Sequence, residues 1–352
     1  MTTKNLAILG VAAVVLGGAA YYCGSGRKIK AQSLNGKAIC TFNAADVAKI
    51  EIGGAKKLVL AAGEKGWTVE TLFAYPADVT KIRENLMKLA DLTVGQVAGG
   101  VKIDAPVPVE LKDAQGKVLA ALQLGEQHRA KPKGQAAMYG GGYPDGRYLK
   151  FEEKTVLVKD ALESFDGDPK KWCDARICAV PSADVKTVTF AKGKEKVVLD
   201  RKDSSWTLQG LGPKEELDTS KTYSLDSALS YLDFNGVVDP AKKADECGFA
   251  TGSVYTVSLK SGETYTASVG AASGADRYFK VAAAFTPVGT NTAENAKLEQ
   301  KVKDFNEKVG KWTYLISSYS ADSMSKLRKD LVKAKEEPKK DDAKKEEPKK
   351  DK

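Results

Sequence analysis

One imidazole, His128, serves the whole 352-residue chain, which disposes of several chemistries at once. A multi-histidine metal centre is excluded, and any Ser-His-Asp or Cys-His relay would depend on that single ring. The cysteines are Cys23, Cys40, Cys173, Cys178 and Cys247. Cys173 and Cys178 do not form a CxxC pair, and two thiolates without histidines make a poor zinc site. On proximity they are instead the candidate disulfide of an extracytoplasmic domain, with buried thiols as the alternative. Carboxylates are abundant, including Asp166, Asp168, Glu215, Glu216, Asp218 and Asp226. Paired carboxylates can drive hydrolysis, but no spacing here selects a pair. Asp166-Gly167-Asp168 lacks the ligand ladder and closing glutamate of a calcium loop.

The stretch Gln127–Gly146 is rich in glycine, but Gly140-Gly141-Gly142 does not fit the strand-loop-helix pattern of a phosphate cradle. It reads as a mobile surface loop in which Tyr139, Tyr143 and Arg147 are candidate ligand contacts, a rim for sugar or peptide. No catalytic residue, metal ligand or cofactor site emerges, and no cofactor is expected.

The elements that must position these residues recur. Asp46-Val47, Ile50, Ile52, Leu58-Val59-Leu60 and Trp67-Thr68-Val69 correspond to Asp184-Val185, Val188, Phe190, Val197-Val198-Leu199 and Trp206-Thr207-Leu208. Apolar positions at period two between Gly and Lys turns predict antiparallel strands. The two tryptophans are expected to be core anchors. A helix follows each group. Val79, Ile82, Leu86 and Leu89 would be capped by Asp78, and Leu225, Ala228, Leu229 and Leu232 by Ser224. Further strands match in pairs: Val109–Lys112 with Val257–Lys260, Leu124-Gly125 with Val269-Gly270, and Arg147–Lys150 with Arg277–Lys280. In the last pair an exposed cation beside a buried ring is expected. The fold class is therefore α+β. Two tandem repeats, residues 40–168 and 181–332, each hold a mainly antiparallel sheet and one covering helix, linked near Asp166–Ser182.

The net charge of +9 comes from interleaved signs rather than a basic face, so nucleic acid is not an expected partner. Part of the excess flanks the uncharged run Leu6–Tyr22, with Lys4 before it and Arg27, Lys28 and Lys30 after it. That run is long enough for a transmembrane anchor within residues 1–30, retained rather than cleaved, because Tyr21-Tyr22 suits an interface better than a processing site. Residues 333–352 alternate Lys, Glu, Asp and Pro and are expected to be a disordered tail.

On the tandem strand-strand-Trp-helix-hairpin pattern, the Asp-Val openings, and the closing Trp312–Ile316 with a short helix over Ala321–Leu331, residues 44–332 resemble the domain-of-unknown-function 4340 family of bacterial membrane-anchored envelope proteins. The resemblance implies an N-terminal anchor, soluble domains on the periplasmic side of the inner membrane, and company with ABC transport complexes of the gliding-motility auxiliary type. It supplies no active-site residues. The expected function is a non-enzymatic interaction or assembly subunit, held to the membrane by its helix, with protein partners. The alternatives are an extracytoplasmic carboxylate-dependent hydrolase and a glycan-binding module.

Overall fold

The computed structural model describes residues 34–53, 57–130 and 142–335. The run Leu6–Tyr22, Tyr139 and the tail beyond Lys335 lie outside these residues. Among the described residues no helix is long and apolar enough to cross a membrane. The architecture is mostly antiparallel sheet with few helices. The chain divides into two compact units, Met1–Ala62 with Val79–Asp168, and Gly63–Asp78 with Pro169–Lys352.

In the first unit, β1 (Lys49–Ile52) and β2 (Leu58–Gly63) alternate as their sequence requires and bury Ile50, Ile52, Leu58 and Leu60. The segment assigned to the other unit carries β3 (Gly66–Val69) and β4 (Tyr75–Pro76). Helix α1 (Val79–Ala90) follows Asp78 directly and buries Ile82, Leu86 and Leu89 at helical spacing, while Val79 stays 48% exposed. The remaining strands are β5 (Gln96–Val97), β6 (Val107–Lys112), β7 (Val118–Arg129), β8 (Pro144–Phe151) and β9 (Lys154–Val158). Within this unit the sheet order is β2-β1-β6-β7-β8-β9-β5, all antiparallel. The expected loop is shorter than its composition suggests, because Gln127–Arg129 finish β7 and Pro144–Gly146 begin β8.

The second unit adds β10 (Arg176–Cys178), β11 (Val185–Lys192), β12 (Glu195–Lys202), β13 (Ser205–Leu208), β14 (Glu215–Leu217), β15 (Leu232–Asp233) and β16 (Gly236–Val237). Long strands β17 (Ser253–Leu259), β18 (Glu263–Ser273) and β19 (Asp276–Phe285) follow, then β20 (Tyr314–Ser317) and β21 (Val332–Ala334). The large sheet runs β13-β12-β11-β17-β18-β19-β20-β16. Its run β12-β11-β17-β18-β19-β20-β16 follows the same order as the seven strands of the first unit, with β13 as an additional edge strand. In each, a short strand that precedes the three-strand meander in sequence pairs at the far edge (β5 on β9, β16 on β20).

Several expectations are corrected here. Leu225, Leu229 and Leu232 are buried, but Tyr223–Ser230 is a run of turns rather than a helix. Serines and threonines there bond back to the chain: Thr222 Oγ1 donates to Thr219 O at 2.8 Å and Ser227 Oγ to Ser224 O at 3.2 Å, in competition with a helical ladder. The second unit's long helix is α2 (Thr292–Phe305), which closes by a π-turn over Asn306–Gly310. The closing helix is only α3 (Ser318–Ser323), with a separate 3₁₀ turn at Arg328–Asp330. Lys333 and Ala334, expected in the tail, belong to β21 and pair with β14. The expected linker is packed: Trp172, Cys173, Ile177, Cys178 and Val180 are all buried. Trp67 and Trp206 are only half-buried, because Gly66 and Ser205 start short strands at the end of a hairpin. The buried indoles are Trp172 and Trp312. Trp312 joins Tyr75 at 5.0 Å between ring centres, and Tyr75 also meets Phe234 at 5.2 Å, contacts each worth about 0.5–1.5 kcal/mol beyond area.

Candidate functional site

Of the three candidate contact residues, Tyr139 lies outside the described residues and Tyr143 is 71% exposed. Arg147 is the surprise. It was expected to be the exposed partner of a buried Tyr148, yet it is 3% exposed while Tyr148 is half-buried. The cause is a bulge: between Leu124 and Gln127 the β7–β8 register shifts, and the Gly125 carbonyl accepts from Arg147 Nε at 2.9 Å. Arg147 Nη1 donates to Leu162 O at 3.0 Å and to Asp166 Oδ1 at 2.6 Å. Gln127 Nε2 occupies the other carboxylate oxygen of Asp166 at 2.9 Å. Arg147 therefore bolts the 162–166 turn to the sheet and forms part of the wall of a polar cleft of about 890 Å³ in the first unit. His128 Nδ1 stands 2.6 Å from Asp145 Oδ1 at the end of the same two strands.

The second unit carries a recess at the matching place in its sheet. The β18–β19 register shifts between Val269 and Ala272, beside Gly270, as it does beside Gly125. Arg277 stands on β19 where Arg147 stands on β8, with Tyr278 following it in the chain. Here the surroundings differ. Tyr278 is the buried member, its hydroxyl 2.6 Å from Lys242 Nζ, and that ammonium holds the phenol below its ordinary range. Arg277 lines a polar recess of about 350 Å³ with Lys192, Ser253, Asp322 and Ser325. Its Nε is buried and has no hydrogen-bond partner among the described residues. Small residues keep the space open; a Cβ at Gly252 would stand 2.0 Å from Val269 O.

The remaining candidates have structural employment. Asp226 binds Arg201 at 2.6 Å, Glu216 binds Lys333 at 3.0 Å, and Glu215 binds Arg328. Asp218 caps the Thr219–Lys221 turn, accepting from Ser220 N, and hydrogen bonds from Ser220 hold its carboxyl below the usual range. Among the described residues no group of three His, Cys, Asp or Glu could hold a metal. Of the candidate disulfide pair, Cys173 is buried with its Sγ donating to Pro169 O at 3.5 Å, and Cys178 sits in β10 with its thiol pushed up to about 12 by burial. Cys40 is pushed up to about 11 for the same reason.

On the surface of the second unit, Tyr223, Tyr231 and Tyr319 are 93%, 74% and 88% exposed. Arg176 stacks on the Tyr231 ring while its Nε donates to Asp233 Oδ1 at 2.5 Å. The sequence held no signal for these rings, since neither period nor spacing separates an outward tyrosine from a buried one.

Antiparallel sheets of this succession define a fold class, mostly antiparallel sheet with few helices, and a fold does not by itself name a chemistry. The chain belongs to the family described as Domain of unknown function (DUF4340), whose model matches residues 67–252. No curated protein and no solved structure matches it.

Proposed function

We propose that this chain is a non-enzymatic envelope protein, anchored in the inner membrane by Leu6–Tyr22, whose two units are tandem copies of one fold and serve as an interaction or assembly subunit on the periplasmic side. The partner is an ABC-type transport complex of the gliding-motility auxiliary type, as the family resemblance implies. The observation that carries the reading is the set of outward tyrosines, Tyr223, Tyr231 and Tyr319, one of them braced by Arg176. Tyrosine and arginine dominate the energetics of protein interfaces because they offer large, stiff contact area with a polar tip. The matching strand succession of the two sheets, with a bulge beside Gly125 and beside Gly270, supports the tandem copies.

The test is affinity purification of the full chain from detergent-solubilised membranes, with partners identified by mass spectrometry. Transporter components are expected with the native protein and are expected to fall away when all three tyrosines are replaced by alanine. Recovery of no transporter component, or equal recovery with the triple variant, removes the reading.

A further inference from the structure

We infer that the recess around Arg277 binds a small zwitterion of the free amino-acid type, its carboxylate on Arg277 and its ammonium between Asp322 and Ser253. The inference does not rest on the assembly reading.

Four observations converge. The side chain of Arg277 makes no hydrogen bond or ion pair among the described residues, and its Nε is buried. The guanidinium of its counterpart in the first unit is held by Gly125, Leu162 and Asp166, so the same strand position is filled there by the protein's own acceptors. Asp322 lines the recess with Arg277, yet the two are not within ion-pairing distance, 4.0 Å. Opposite charges that share a space without meeting leave room for a ligand that bridges them.

The fourth observation fixes the polarity of the far side. Ser325 Oγ donates to Ala321 O at 2.9 Å, so its one proton is committed. Either hydroxyl of the Ser253–Ser325 pair, 2.5 Å apart, can donate, and with the Ser325 proton on Ala321 O the donor is Ser253 Oγ. The lone pairs of Ser253, a residue only 7% exposed, are left as acceptors. In a recess that the Asp322 carboxylate also lines, they suit an ammonium group. An inorganic anion would meet Arg277 and Lys192 but also the Asp322 charge, so a dianion such as phosphate is disfavoured. A carboxylate offers two oxygens to the planar guanidinium, and an adjacent ammonium turns Asp322 from a repulsive to an attractive neighbour. The volume of about 350 Å³ and the lining by Gly248, Gly252, Gly270 and Ala271 favour a small side chain.

Isothermal titration of the full chain with glycine, L-alanine and L-serine, and with acetate, methylammonium and inorganic phosphate as partial probes, tests this. At least one of the three amino acids is expected to bind, with acetate and methylammonium each weaker by about tenfold or more, since each lacks one charge-assisted contact. Arg277→Gln and Asp322→Asn are each expected to weaken the amino acid by about tenfold or more. Asp322 is exposed, so its variant should melt as the native protein does. Binding of phosphate or acetate as tight as that of the amino acid, unchanged affinity in Asp322→Asn, or no binding of any of the three by protein with a cooperative melt would each overturn the inference.

Discussion

At the scale of single residues, burial decides what a charge is for. Arg147 spends its donors on Gly125 O, Leu162 O and Asp166, and all of them lose their partner if the side chain is removed. Arg147→Ala should therefore destabilise the protein by about 2–5 kcal/mol, since the carbonyls of Gly125 and Leu162 lose their donor at about 1–3 kcal/mol each. Arg147→Lys should recover little, because an ammonium cannot reproduce the fork. Asp166→Asn keeps an acceptor for Arg147 but removes the counter-charge of a buried guanidinium, and it should cost less than Arg147→Ala because water reaches the 44% exposed Asp166 side chain. Urea unfolding of the three variants gives the order, and a mild Arg147→Ala would remove the bolt. Glu51 poses the complementary case. Lys112 and Lys49 lie 2.8 Å from its oxygens and Lys57 3.1 Å, and hydrogen bonds from Lys112 and then Lys49 lower its pKa to about 2. A carboxyl depressed in the folded state stabilises it above the unfolded value, about 4.3, and loses that contribution as pH falls through about 2. The native protein should exceed Glu51→Gln by about 1 kcal/mol at neutral pH after solvent screening, with the gap closing between pH 5 and pH 2. Parallel pH profiles for the two proteins would contradict this. Neither role was legible in the sequence: Asp166 is distant from Arg147 along the chain, and only the bulge at Gly125 brings them together.

At the scale of elements, burial was legible where conformation was not. Leu225, Leu229 and Leu232 fall on one helical stripe and are buried, yet the serines between them hold the segment in turns. Conversely, α2 has the polar composition TAENAKLEQKVKDF and buries only Val302, so its period is faint. Its end explains why it is placed where it is. Asn306, in the π-turn, accepts from Ala283 N at 2.8 Å and donates to Ala283 O at 2.8 Å, pairing with β19 as another strand would. β20 covers only Asp276–Phe279 on that side, so Asn306 satisfies backbone that the sheet leaves open. Asn306→Ala should cost about 1–3 kcal/mol, the range for orphaned backbone groups. It should also lower amide-exchange protection at Ala283 more than at Val257 in the sheet centre. Asn306→Asp should fare no better, because it keeps the acceptor and loses the donor. Protection lost evenly across the sheet would mean a general loss of packing instead.

At the scale of the whole molecule, the stretch shared with the family and the stretch that can fold are different things. Residues 67–252 open inside β3 and stop just before β17. In the first unit this omits β1 and β2, so β6 loses the neighbour against which Val109 and Leu111 pair with Ile52 and Ile50. In the second it omits β17 to β20, and Val188 and Phe190 of β11 lose Val257 and Tyr255. Each such buried side chain is worth about 1.5–3 kcal/mol, and several exceed the whole stability of an ordinary domain. Cutting at Asp168 is no better, because Gly63–Asp78 groups with the second unit, where Tyr75 packs on Phe234 and Trp312. The repeat in the sequence suggested two continuous domains, since period and spacing carry no information about which sheet or core a segment joins. Residues 34–335 should therefore melt cooperatively with strong near-ultraviolet dichroism. Fragments 67–252, 34–168 and 169–335 should lack a cooperative transition and bind a hydrophobic dye. A sharp, native-like melt of fragment 67–252 would mean that β3 to β16 hold a core of their own, and one of fragment 34–168 that Tyr75 is dispensable to the second unit's aromatic cluster.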